Sequence, residues 1–91
     1  MSYAVQSVHR RKGIDRRTYY TFALNRKQGK DTLCLMVIHT EKNALCAAIG
    51  KLPVKSITGT RLTLDKVPGC VRRYADRQIA AIPKGTVVAD V

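Results

Sequence analysis

Ninety-one residues, 45% of them hydrophobic, suffice for one domain with a single core and leave nothing for an appended module. The longest apolar runs, residues 33–38 and 44–50, fall far short of the roughly 20 needed to cross a bilayer, and no basic segment followed by an apolar stretch marks a signal peptide, so the expected compartment is the cytoplasm, or a nucleus if the source has one. Seventeen Lys and Arg against six Asp and Glu give a net charge of +11, and self-repulsion of that size is usually retained because something anionic binds.

In chain order, residues 3–10 form a candidate strand whose apolar members do not alternate cleanly. Residues 10–17, with Gly13 and Asp15 as turn formers, read as a basic loop. Residues 18–24 are rich in aromatic and β-branched types. They put Tyr20, Phe22 and Leu24 on one face and Tyr19, Thr21 and Ala23 on the other. Residues 25–31 are polar and contain a glycine, which signals a hairpin connection. Residues 32–39 alternate Leu33, Leu35 and Val37 with Cys34, Met36 and Ile38. Both faces are apolar, so this strand is expected to be central and covered twice, once by a helix and once by a second layer or a partner chain, a homodimer included.

Residues 44–50 suit a buried strand or a short helix, and periodicity does not separate the two. Gly50, Pro53 and Gly59 punctuate the next stretch, residues 61–65 make a short strand, and residues 66–69 make a turn. Residues 70–82 carry the clearest helical signal: Val71, Tyr74, Ala75, Ile79 and Ile82 share one face, with Arg73, Asp76, Arg77 and Ala80 opposite. Pro83 ends the helix, and residues 86–91 read as a last strand. The sum is an α+β fold, a small and mainly antiparallel sheet of four or five strands with one helix near 70–82 and a possible second near 44–50. A small β-barrel is the alternative.

Eight of the seventeen cations lie in residues 1–30, where Asp15 is the lone acid. Lys and Arg neutralise phosphates and release counterions, Arg adds bidentate hydrogen bonds, and an aromatic ring beside them can stack on an unpaired base. The candidate nucleic-acid-binding residues are therefore Arg10, Arg11, Lys12, Arg16, Arg17, Tyr19, Arg26, Lys27 and Lys30, whereas Tyr20 and Phe22 belong in the core. Residues 44–60 have some features of a helix-turn-helix. However, the spacing from Gly50 to Ile57 is long and Gly59 stops the second helix after barely a turn.

Cys34, Cys46 and Cys70 are odd in number and contain no paired spacing, which argues against a disulfide framework or a metal centre. Each reads as a small buried hydrophobe. No catalytic constellation and no cofactor motif stands out. His9 beside Arg10 and Arg11 is the single candidate for proton transfer in a small ribonuclease. The leading expectation is a non-enzymatic domain that binds nucleic acid, DNA or RNA, by its phosphates. A basic interaction or inhibitor protein docking on an acidic protein or nucleoprotein surface is the alternative.

Overall fold

The first irregularity in the sequence, the poor alternation of residues 3–10, has a direct structural cause. In the computed structural model, which describes residues 3–28 and 31–82, strand β1 spans Val5–Lys12 and pairs antiparallel with β2, Thr18–Gln28. The register slips between Val5 and Ser7. This bulge lets Val5 and Val8, three residues apart, both pack against the core. Strand β1 also runs on to Lys12, so Arg10, Arg11 and Lys12 belong to a strand and the loop expected at 10–17 shrinks to residues 13–17.

Strand β3, Asp31–His39, follows β2, and β4, Leu45–Pro53, follows β3. Both pairings are antiparallel. The polar stretch at 25–31 is thus mostly strand, because β2 continues to Gln28 and β3 begins at Asp31. Strand β5, Thr60–Leu62, pairs with the free side of β1 and completes an open antiparallel sheet in the order β4-β3-β2-β1-β5. The sheet does not close into a barrel. Helix α1, Gly69–Ala80, packs across one face. The fold is α+β.

One face of the sheet carries the core. Val8, Phe22, Leu35 and Ile49 lie side by side across four strands, and Val71, Ala75 and Ile79 of α1 are buried against that face. Tyr74 and Ile82 pack on the same cluster, so the helical face expected from the sequence is the one used. Phe22, Leu24, Leu35 and Val37 are sealed from solvent, each worth about 1.5–3 kcal/mol of burial. No side chain caps the start of α1, where Pro68 occupies the cap position. The helix therefore depends on this packing more than on its own ends.

The open choice at residues 44–50 is decided, and three expectations require correction. Residues 44–50 are strand, not helix, and the helix-turn-helix disappears with them: Leu45, Ala47 and Ile49 turn to the core while the intervening residues turn away, and the strand gives way to a single 3₁₀ turn, Val54–Ser56. The short strand expected at 61–65 is Thr60–Leu62, with a 3₁₀ turn at Leu64–Lys66. Helix α1 covers one face of β3, where Leu35 and Val37 are buried. On the other face Thr32 and Cys34 are buried but Met36 and Ile38 are only half-buried, short of the full burial expected. Cys34 is buried, but Cys46 and Cys70 are exposed. Cys46 sits on the edge strand and Cys70 in the first turn of α1. The strand expected at 86–91 lies outside the described residues. Among the described residues, no helix is long and apolar enough to cross a membrane.

Candidate functional site

The loop that closes the β1–β2 hairpin is held by its own side chains. Gly13 and Arg17 are joined by a backbone hydrogen bond of 2.9 Å, and the Arg16 N–H donates to the Gly13 carbonyl at 3.1 Å. Arg16 takes a left-handed backbone with φ 66°, uncommon for a residue with a side chain. The Asp15 carboxylate secures the turn. Its Oδ1 accepts the Arg17 backbone N–H at 3.1 Å, its Oδ2 accepts the Tyr19 hydroxyl at 2.7 Å, and Arg17 Nε lies 3.8 Å away. Gly13 leaves the space this requires, since a Cβ there would meet Asp15 Oδ1 at 2.5 Å and Tyr19 Cε1 at 2.8 Å.

These contacts set the protonation of both partners. The Tyr19 hydrogen bond, followed by that of the Arg17 backbone, holds the Asp15 carboxyl below its ordinary value. The same bond to Asp15 pushes the Tyr19 phenol up. The one carboxylate among the loop's cations is thus occupied within the loop.

Around it stand Arg10, Arg11, Lys12, Arg16 and Arg17, all exposed. Strand alternation divides the first three. Arg11 pairs with Tyr19 across the hairpin and lies over its ring, 4.7 Å from the centroid, a cation–π contact that orients the guanidinium. Arg10 pairs with Tyr20, whose side chain is in the core, so Arg10 and Lys12 leave the sheet on the helix side. The hairpin end therefore presents cations to both faces. Ile14 projects from the loop with full exposure. Tyr19 is half-buried, its hydroxyl on Asp15 and one ring face under Arg11.

The remaining predicted residues lie elsewhere. Arg26 and Lys27 are in β2 beyond a second register shift, between Ala23 and Lys27, at the opposite end of the strand. Eight residues at about 3.3 Å each separate them from the loop by about 25 Å. Lys30 lies outside the described residues. The structure adds one cation that sequence order concealed: Arg61 of β5 stands directly opposite His9 of β1, two positions from Arg11 on the same face. Its sequence signal was ordinary, because the return of β5 to the far side of β1 is a tertiary event.

His9, the proton-transfer candidate, is half-buried in mid-strand between Thr21 and Arg61. Its Nδ1 is buried without a hydrogen-bond partner among the described residues. Among those residues no three His, Cys, Asp or Glu side chains come together as a metal site. A cleft of about 490 Å³ opens between α1 and the start of β1, with Arg72 and Asp76 as its charged lining residues; none of the predicted site residues borders it. The chain matches no known protein family, no curated protein and no solved structure.

Proposed function

We propose that this protein is a non-enzymatic nucleic-acid-binding domain that grips a phosphate backbone at the closed end of its first hairpin. The observation that carries this reading is the cluster of Arg10, Arg11, Lys12, Arg16 and Arg17 around a single carboxylate already engaged by Tyr19 and Arg17. With Asp15 engaged inside the turn, the surrounding cations stay available to external anions. Holding the loop closed also lowers the ordering entropy that binding must overcome. The exposed guanidinium of Arg11, held against Tyr19, suits a phosphate oxygen or the face of an unpaired base.

The test is a salt series with an arbitrary duplex, the matching single strand and an RNA of the same sequence. Affinity should fall steeply with salt, and replacing Arg10, Arg11, Arg16 and Arg17 with Gln should flatten the logarithmic slope by up to about 0.9 for each duplex phosphate no longer neutralised. An unchanged slope, with binding abolished only when cations of residues 42–77 are removed, would place the interface elsewhere. Weak, salt-independent binding of every nucleic acid would reject the function itself. RNA cleavage that disappears in His9→Ala would replace it with the ribonuclease reading. Arg26, Lys27 and Lys30 serve as a second cluster. Their replacement should flatten the slope by a separate and roughly additive amount, because distant sites seldom couple.

A further inference from the structure

The sheet face opposite α1 shares only Arg11 and Tyr19, at its edge, with the phosphate grip. Ala23 of β2, Cys34, Met36 and Ile38 of β3, and Ala48 and Leu52 of β4 occupy its strand positions. Met36, Ile38 and Leu52 are half-buried and Ala48 is exposed, while Ala23 and Cys34 between them are buried. A notch of about 30 Å³ opens beside Met36 and Leu52, where Ala48 and Gly50 leave room above the strand. The strip has its accessible apolar residues on β3 and β4, while β2 adds the buried Ala23 and, beside Met36, the polar Thr21. Along its β1 side it is bordered by His9, Arg11 and, from β5, Arg61. No strand position of this face carries a carboxylate among the described residues.

We propose that this face docks an acidic amphipathic helix of a partner protein. Strands β2, β3 and β4 at about 4.8 Å spacing span about 10 Å, the diameter of one helix. The accessible apolar side chains lie on β3 and β4, with Thr21 on the flank toward the cations. Its length, from Ile38 to Thr32, is about 20 Å, which takes about 13 residues of helix. On the other face α1 covers the sheet with 12 residues, so the free face is matched in scale to the same kind of cover.

Charge selects among occupants. The cations line one long side only, so the partner helix carries its carboxylates on the flank facing β1 and its apolar stripe over Met36, Ile38 and Leu52. A second copy of this chain would bring another +11 to the same interface, which opposes self-association. A nucleic-acid backbone complements the cations and leaves the apolar strip unmatched. Arg11 borders both this strip and the phosphate grip. Arg10, Lys12, Arg16 and Arg17 lie off the strip and Arg61 lies off the grip, so Arg61 and the apolar residues test the inference separately.

The experiment titrates the isotope-labelled full chain with a synthetic helical peptide of about 14 residues, bearing a leucine stripe flanked on one side by glutamates. A twin peptide has glutamines in their place. Backbone amide shifts should concentrate at Ala23, Met36, Ile38 and Ala48, and the glutamine twin should bind about five- to tenfold more weakly. Ala48→Glu, an exposed substitution on the edge strand, should abolish binding, and Arg61→Gln should weaken it severalfold with the fold intact. No saturable shift at about 1 mM peptide, equal binding of the glutamine twin, or shifts on the α1 side would overturn the proposal. So would a concentration-dependent dimer, an oligonucleotide, or residues 86–91 of the free chain occupying the same strip, each of which would assign the face to that occupant. Loss of the salt-dependent oligonucleotide binding alone, with peptide binding kept, would remove only the proposed function.

Discussion

Thr32 is the buried polar residue that the hairpin between β2 and β3 cannot spare. Leu24 falls within the register shift of β2 against β3, and the Thr32 hydroxyl, itself buried, donates to its carbonyl at 3.0 Å. Thr32→Val keeps the shape and removes the donor. It should cost about 1–3 kcal/mol, the penalty for a buried carbonyl left unpaired, and Thr32→Ser should recover most of it in denaturant unfolding. The Asp15–Tyr19 bond makes a second test at this scale. Because the folded carboxyl titrates below its ordinary 3.8, its stabilising contribution is present above that value and fades as pH falls through the folded one. The phenol is shifted above 10.0, so its contribution is present below that value and is lost as pH rises through the folded one. Tyr19→Phe removes the largest cause and should move the Asp15 titration, followed by carboxyl carbon shifts, back up toward 3.8. Burial also pushes the Cys34 thiol up to about 11, while Cys46 and Cys70 are exposed. An alkylating reagent should therefore modify Cys46 and Cys70 in the folded protein and reach Cys34 only after unfolding, as mass spectrometry can show.

Strand β3 makes the asymmetry of the sheet measurable at the level of an element. Leu35 is fully buried beneath α1, between Phe22 and Ile49, and Leu35→Ala should cost about 2–5 kcal/mol. Met36, the next residue, lies half-exposed on the free face, and Met36→Ala should cost clearly less, under about 1.5 kcal/mol. Equal costs would show that a cover lies over both faces. Strand β5 depends on Gly59, whose φ is 108° and whose position leaves no room for a Cβ, which would run into the Arg10 carbonyl. A side chain at that point would push β5, and Arg61 with it, away from β1.

Across the whole molecule, the free cysteines and the absence of a ligand cluster among the described residues predict a stability set by packing alone. Chelator and reductant should each leave the melting temperature unchanged, and a large fall with either would reveal a metal or disulfide dependence. The net charge of +11 predicts the opposite sensitivity to salt. Stability should rise as screening relieves self-repulsion while polyanion binding weakens. The same variable therefore acts on fold and interface with opposite signs, and a thermal melt paired with a binding series separates the two.

The pattern of apolar residues was enough to identify β2, β3 and the helix, because side chains that must leave water impose periods of two and 3.6 on the chain. It also placed Tyr20 and Phe22 in the core and gathered the cations of residues 10–17 at one place. Residues 44–50 stayed ambiguous because six small apolar residues satisfy either period, and only pairing with β3 decides for strand. Residues 3–10 were legible as a strand although the bulge at Val5–Ser7 breaks its alternation, but the strand's continuation to Lys12 was not. Three matters belonged to the tertiary structure alone. Alternation sends Arg10 and Arg11 to opposite faces, an outcome fixed by where β1 begins and bulges. The capture of Asp15 by Tyr19 needs the turn closed, and the approach of Arg61 to His9 needs β5 to return beside β1. An apolar strand face records that it prefers to leave water, but what covers it depends on how many elements the chain can bring there, and this chain brings one described helix to one side.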